Sequence, residues 1–394
     1  MTLKEDALAL HKKLKGKIEI RSKIPVKSAK TLSLLYTPGV AEASKEIFRE
    51  KDLVYDYTSK WNSMAIVTDG SRVLGLGNIG AEAALPVMEG KAILFKLFGG
   101  VDAYPICLET QDASEIIKIV KNISPTFGAI NIEDIDSPKC FEIVDSLSES
   151  LDIPVFHDDQ YGTGIVVLAA LINACKLVKK DIKHVTVTIA GAGAAGRGIV
   201  RMLHSYGIRD LIVLDSKGII YKGRGDLDKY KHELATLTNK RQLQGSLADA
   251  LSGADVFIGV TGKGNMVNKN LIRKMNEDSI VFALANPDPE IMPSEAKKGG
   301  ARIVATGRSD FPNQVNNSLA FPGILRGTLD VRARKINKQM MTEAALTLAK
   351  SVGNKLSTNY ILPKTTDVRV HKKIARAVSR AAIETKVSRV NLSL

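Results

Sequence analysis

Between His184 and Gly307 the chain repeats one unit: a short β-branched run, a turn, then a helical segment. The runs are Val185–Ala190, Leu211–Asp215, Asp255–Val260, Ile280–Asn286 and Arg302–Thr306. Apolar strands that alternate with helical stretches pair in parallel through crossover helices, so this segment reads as a doubly wound α/β domain of Rossmann type. The first run leads straight into Gly191-Ala192-Gly193-Ala194-Ala195-Gly196 and then a helix, Arg197–His204. The first glycine permits a tight turn, the second lets backbone approach a pyrophosphate, and the third brings helix and strand close. The helix N-terminus then meets the phosphate charge. Asp215 closes the next run, 24 residues beyond Gly191, where a carboxylate can bond a ribose 2′-hydroxyl. A bare glycine turn would be weak evidence. Strand, loop, helix, strand and acid in register point to NAD or NADP. Asp215 favours NAD by repelling a 2′-phosphate, whereas Lys217, Lys222 and Arg224 could accept that phosphate if the loop folded back.

Upstream, Met64–Thr68, Ala92–Leu97, Ala103–Leu108, Ala129–Ile132 and Ile153–Phe156 read as strands of a second α/β unit. Asp112 with Glu115 forms a capping box for a helix reaching about Lys121, and Ser137-Pro138 starts another. The helix Tyr161–Val178 ties the halves together. The expected division is residues 1–160, residues 161–325 (the dinucleotide domain) and residues 326–394, a basic helical segment packing back across the first domain.

Bulk properties exclude several classes. With 44% hydrophobic and 25% charged residues the 394-residue chain has an ordinary globular composition, long enough for two cores. No apolar run is expected to span a bilayer, and the N-terminal segment (Ala7, Leu8, Leu10, Leu14 at helical spacing) lacks the apolar core of a secretory signal. Cys107, Cys140 and Cys175 sit in unrelated apolar segments, which fits buried free thiols in a reducing cytoplasm better than a metal or nucleophile role. The net charge of +14 invites a nucleic-acid reading. Yet residues 331–394 hold fourteen Lys/Arg against three Asp/Glu, a net +11, flanking Val370, Ile374, Val378 and Ala381 as on the wet face of a helix. No aromatic residues interleave to stack on bases.

Glu133-Asp134 and Asp158-Asp159 each follow a short apolar run. If those strands run parallel, all four carboxylates emerge at one sheet edge. They cannot all stay ionised there without a cation between them. Oxygen ligands with no nearby cysteine suit Mg²⁺ or Mn²⁺, and His157 reads as structural rather than a ligand. A lone Asp-Asp pair would be a solvated turn. Here Gln160-Tyr161-Gly162-Thr163-Gly164 runs on into an apolar helix, which half-buries the site.

Several blocks resemble, in order, those of malic enzymes: Tyr36-Thr37-Pro38-Gly39-Val40, Thr68-Asp69-Gly70-Ser71-Arg72 running to Gly77, Glu89-Gly90-Lys91-Ala92, Asn131-Ile132-Glu133-Asp134, and His157-Asp158-Asp159-Gln160-Tyr161-Gly162-Thr163. Asn286-Pro287 and Asn316-Asn317 followed by Phe321-Pro322-Gly323 continue the match. The resemblance covers nearly the whole chain and looks like the compact microbial form. It implies oxidation and decarboxylation of malate to pyruvate and CO₂ with a divalent metal and NAD(P), and decarboxylation of oxaloacetate. By resemblance Lys91 is the base and a substrate contact, Tyr36 the acid, and Asp158 holds and tunes Lys91. Glu133, Asp134 and Asp159 ligate the metal, which polarises the substrate carbonyl. Arg72 clamps a malate carboxylate, Asn286 and Asn317 contact substrate and nicotinamide, and Thr163 joins the residues of the Gly191–Gly196 loop and Asp215 on the cofactor side. From the residues alone, Tyr36 could cap a loop and Arg72 could pair with Asp69. Lys91 in an apolar run is more telling, because an unpaired buried lysine is costly. The resemblance also implies a homodimer, in which the tyrosine or lysine can come from the partner.

Three competing readings remain. An amino-acid or methylene-folate type dehydrogenase shares the two-domain plan but needs no four-carboxylate centre. An oxaloacetate decarboxylase without hydride transfer leaves the glycine loop and Asp215 unexplained. A basic nucleic-acid-binding protein leaves the acids unexplained.

Overall fold

The computed structural model describes residues 2–390; residue 1 and residues 391–394, the tips of the first and last expected segments, lie outside it. Two largely parallel sheets organise the chain. The first contains β1 (Ser63–Thr68), β2 (Asp102–Cys107), β3 (Ala129–Ile132) and β4 (Val155–His157) in the order β2-β1-β3-β4. The second contains β5 (Val187–Ala190), β6 (Leu211–Asp215), β7 (Gly218–Ile219), β8 (Val256–Gly259), β9 (Ile280–Ala283) and β10 (Ile303–Thr306), ordered β10-β9-β8-β5-β6-β7. Only the β6–β7 hairpin is antiparallel. Because β5 is flanked by β6 and β8, strand order reverses at its carboxyl end, where doubly wound sheets bind ligands. Gly191 begins there.

One expected strand is a helix. Ala92–Leu97 forms the end of the helix Ala81–Leu94 and its widened last turn, Phe95–Gly99. A helix with one buried face (Ala84, Met88, Lys91 and Ala92, at i, i+4, i+7 and i+8) and further apolar residues beside it reads over six residues like a buried strand, and only its full length separates the two. The linking helix starts at Asp158, three residues earlier than expected. Asp158 and Asp159 therefore occupy its first turn, where the helix dipole favours carboxylates. Against expectation, this helix is also long and apolar enough to cross a membrane by composition. Its apolar stretch is 72% buried inside the protein, however, and it packs as a core helix against the cofactor helix Ala194–Tyr206 and against Lys338–Lys350.

The helices Phe321–Asp330, Lys338–Lys350 and Val368–Glu384 pack on one another, and Phe321 meets Phe95 at 4.6 Å between ring centroids. The basic segment thus closes over the first sheet's own helix. Val370, Ile374, Val378 and Ala381 are its buried stripe, as the amphipathic pattern requires. One hydrophobic core runs through both sheets and these helices. The N-terminal arm behaves differently. Its helices Leu3–Leu14, Ala29–Leu35 and Val40–Arg49 contribute no buried residue, and Leu3, Ile20 and Phe48 are 87%, 91% and 92% exposed.

Gly198 marks the crossing of the linking and cofactor helices: a Cβ there would sit 1.9 Å from the Gln160 carbonyl oxygen. Gly198→Ala should lower the urea midpoint, at a cost of about 2–3 kcal/mol for the forced shift. A gain, the roughly 1 kcal/mol that alanine ordinarily brings to a helix interior, would show that the helices do not cross this closely.

Candidate active site

β3 and β4 are parallel neighbours with Ile132 level with His157, so the residues that follow them leave the sheet at the same edge. Glu133 donates its backbone N–H to the Val67 carbonyl, and Asp134 then turns in the left-handed region at φ 51°. The Asp134 N–H donates to Asp159 Oδ2 at 3.1 Å. Glu133, Asp134 and Asp159 each bring one carboxylate oxygen within 4.8 Å of the other two. Glu133 and Asp134 are buried and Asp159 half-buried.

Lys91 enters from the Ala81–Leu94 helix and is 8% exposed. Its Nζ contacts Glu133 Oε1 and Asp158 Oδ2, and stands 4.6 Å from the centre of the Phe321 ring. Asn317 Nδ2 donates to Asp158 Oδ2 at 2.6 Å, and Asn131 Nδ2 to Glu133 Oε2 at 2.8 Å. His157 is fully buried with Nε2 3.5 Å from Asp159 Oδ2, beside the acids rather than among the three oxygens.

Four carboxylates around one ammonium leave an unbalanced negative pocket. Burial, then the neighbouring acids, pushes Asp134 up to about 7. Burial likewise raises Glu133 and Asp158, although Lys91 opposes it. Asp159 goes the other way: burial works against its charge, but His157, Lys91 and the Asp134 N–H outweigh that and hold it below the ordinary value. For Lys91, burial disfavours the ammonium, yet Asp158, Glu133 and Asp159 together hold it above its usual range. A divalent cation bonded to the three oxygens would relieve this strain. The donor set fits Mg²⁺ or Mn²⁺.

A cleft of about 1040 Å³ lies between the two sheets, and neither Lys91 nor the acids of the cluster line it. Gly191, Ala192 and Gly193 line it together with Asp215 from the second sheet, and Arg72, Ser137 and Pro138 from the first. The glycines divide as the motif requires. A Cβ on Gly191 would lie 2.6 Å from the Val260 carbonyl, and one on Gly196 would lie 1.8 Å from the Gly191 carbonyl. A Cβ on Gly193 would meet only Ser137 Oγ at 3.5 Å, which leaves its face open to a pyrophosphate. The helix begins at Ala194, with Ala195 in its first turn.

The remaining expected residues are spread around this frame. Arg72 is exposed, lines the cleft, and its N–H donates to the Asp134 carbonyl at 3.0 Å. It does not pair with Asp69, whose carboxylate is taken by Ser71 and Lys139. Asn286 is exposed in the loop after β9, its carbonyl oxygen beside Gly75, and its side chain is not joined to the acid cluster. Thr163 is half-buried on the linking helix. Tyr36 is 66% exposed at the end of the Ala29–Leu35 helix, and the hydrogen-bond partners of Lys91 Nζ are Glu133 and Asp158, not Tyr36. Sequence reasoning missed Asn131 and Phe321 as direct neighbours of the site. Both lie inside quoted motif blocks, but nothing local shows which side chain they meet.

A dinucleotide cleft together with a buried lysine among carboxylates defines a two-domain, nicotinamide-linked oxidoreductase. Two family models match in tandem: malic enzyme, N-terminal domain, over residues 15–148, and malic enzyme, NAD binding domain, over residues 160–383. The chain belongs to the malic enzyme family. The second match runs through the helices expected to form a separate C-terminal segment. The chain is 53% identical to the bifunctional malic/malolactic enzyme of Bacillus subtilis, covering 100% of this chain and 96% of that one. It is 51% identical to the NAD-dependent malic enzyme of Geobacillus stearothermophilus, covering 95% and 78%. It is 42% identical to the NADP-dependent malic enzyme of Halomonas elongata, covering 98% and 95%. The crystal structure of a malic enzyme from Pyrococcus horikoshii superposes with a TM-score of 0.93 at 49% identity, covering 99% and 93%. That from Entamoeba histolytica gives 0.95 at 43%, covering 99% and 83%. The family's reaction is NAD- or NADP-dependent oxidative decarboxylation of malate, which displaces the three competing readings.

Calorimetric titration with Mn²⁺ should show one site per chain, weakened at least about tenfold by Asp159→Asn. No heat from the unsubstituted chain would mean that the three carboxylates hold no metal.

Proposed function

We propose that this chain turns (S)-malate into pyruvate and CO₂ with Lys91 as base, Tyr36 as acid, and Mg²⁺ or Mn²⁺ on Glu133, Asp134 and Asp159. The observation that carries the reading is the placement of Lys91 Nζ, buried against Asp158 and Glu133 at the edge of the three-carboxylate cluster. Lys91 takes the proton of the C2 hydroxyl; a nicotinamide, when bound in the cleft, would be the acceptor of the C2 hydrogen as hydride. The C3–C4 bond then breaks to release CO₂, and the Tyr36 hydroxyl returns a proton to C3. Asp158, itself held by Asn317, orients the lysine. Arg72, with no ion-pair partner among the described residues, binds a substrate carboxylate. When bound, the metal supplies a Lewis acid for the C2 oxygen and a positive charge that draws the lysine pKa down toward working range. Oxaloacetate, which enters after the hydride step, is decarboxylated by the same groups.

Tyr36 stands exposed on one chain. The exposed arm that carries it reads as the docking element of a homodimer, which buries the arm's leucines and delivers Tyr36 to the partner's site. The cofactor is NAD or NADP, with a slight lean to NAD because an acid ends β6. The unpaired thiols fit a cytoplasmic setting. The B. subtilis relative's malolactic activity supports a second outcome, in which pyruvate stays beside the reduced nicotinamide and leaves as lactate.

Purified protein with L-malate and Mn²⁺ should reduce NAD or NADP with one pyruvate formed per nicotinamide reduced, and chelator should stop it; no reduction with either cofactor would sink the reading. Lactate accumulating from malate with catalytic NAD would establish the second outcome, and its absence would remove it. Tyr36→Phe and Lys91→Ala chains, each inactive alone, should regain about a quarter of full activity when refolded together, as random pairing around a shared site requires. No recovery would place both residues on one chain.

A further inference from the structure

We propose that Arg224 sets the nucleotide preference of this enzyme, neutralising Asp215 so that the cleft admits the 2′-phosphate of NADP as well as the ribose of NAD. The inference rests on the reading of this cleft as the dinucleotide site. The β6–β7 hairpin turns the chain back on itself, and the loop beyond it returns Arg224 to the end of β6. Arg224 grips Asp215 with both prongs of its guanidinium, Nη1 to Oδ1 at 3.0 Å and Nη2 to Oδ2. The fork is itself fixed. Nη1 also donates to the carbonyls of Gly218 and Ile219 at 3.3 and 3.2 Å, and Nε donates to Asp226 Oδ1 at 2.7 Å. A second cation, Lys231 Nζ, stands 3.0 Å from Asp215 Oδ2, and the Lys217 N–H donates to Oδ1 at 2.9 Å. Asp215, Arg224, Lys217 and Lys231 all line the cleft.

An acid at this strand end excludes a 2′-phosphate only while its charge is free to repel it. Here two cations engage that charge. From 215 to 231 the chain carries five Lys/Arg against three Asp, so an entering phosphate meets a net positive rim. Lys217, its side chain 67% exposed, lines the same cleft and pairs with Asp226 Oδ2 at 2.8 Å. NAD remains a ligand: Arg224, Lys231 and the Lys217 N–H together occupy the roughly four lone-pair sites of Asp215, and Lys231, a flexible side chain at the cleft wall, can yield its site to a ribose hydroxyl.

Calorimetric titration with NADH and with NADPH, malate omitted, tests this apart from catalysis. The unsubstituted chain should bind the two within about tenfold of each other. Arg224→Gln should weaken NADPH by at least about tenfold while NADH changes by less than about threefold, and that retained NADH binding is also the folding control. Arg224→Lys, which keeps the charge and loses the fork, should fall between; it becomes the deciding variant if Arg224→Gln does not fold. Equal loss of both dinucleotides, or an unsubstituted chain that binds NADH but rejects NADPH, overturns the proposal. Neither dinucleotide binding overturns it together with the cofactor reading. The expected shift in a chain that fails to oxidise malate would leave Arg224's role standing and sink only the proposed reaction.

Discussion

Everything in the first half of this protein is arranged around one electrostatic imbalance: four carboxylates brought to a single sheet edge with one lysine among them. Isolated charges taken out of water are among the most expensive things a fold can bury, and pairing repays that only when hydrogen bonds complete it. Lys91 offsets one unit, shared between Glu133 and Asp158. Asn131, Asn317 and the Asp134 N–H supply the remaining donors. What they leave is an excess of negative charge where Glu133, Asp134 and Asp159 converge. The acids there divide, with Asp134 pushed toward neutrality and Asp159 held ionised, as expected of a pocket shaped to receive a cation.

That arrangement explains why the chain does not separate cleanly into two bodies. The carboxylates belong to the first sheet and to the linking helix, but their partners come from far along the sequence. Asn317 and Phe321 reach Asp158 and Lys91 from the segment that follows the second sheet. The last helix covers Phe321–Asp330 at Gly323 and Gly327, where any Cβ would strike its backbone or side chains. A disturbance in the C-terminal helices is therefore felt at the lysine, through a few rigid contacts.

Legibility followed the range of the interactions. Leu211–Asp215 and Ala129–Ile132 were readable to the residue because β-branched composition and flanking turns are local signals. The glycine loop was readable for the same reason. Ala92–Leu97 was not, because five apolar residues and Lys96 carry no period and the deciding fact, a lysine turned inward from a helix at position 91, lies just outside that window. The early start of the linking helix escaped because it follows β4 with no capping side chain to announce it. The Arg224–Asp215 fork was half visible: the cations could be read, but the hairpin that returns them is a matter of register between β6 and β7. The sparse burial of the N-terminal arm had no signature at all, since its helices carry apolar residues at ordinary helical spacing.

Charge is then distributed by task around one cleft. Its nucleotide end is ringed by Lys217, Arg224 and Lys231, and its other wall carries Arg72, whose N–H donates to the carbonyl of Asp134 in the acid cluster. A dinucleotide and a dicarboxylate are both anions, so the basic end attracts what the acid cluster repels. The surplus of +11 on residues 331–394 adds a long-range pull toward the molecule and is spread along the whole C-terminal segment, of which the helix Val368–Glu384 carries five Lys/Arg against one Glu. On the proposed reading, malate would approach the acids only once their field is reversed locally, as a divalent cation on Glu133, Asp134 and Asp159 would do. Substrate affinity would then be coupled to metal occupancy by the same imbalance that organises the fold, and Arg72, which lines the cleft and is tied through its N–H to Asp134, is a cation placed to hold the dicarboxylate.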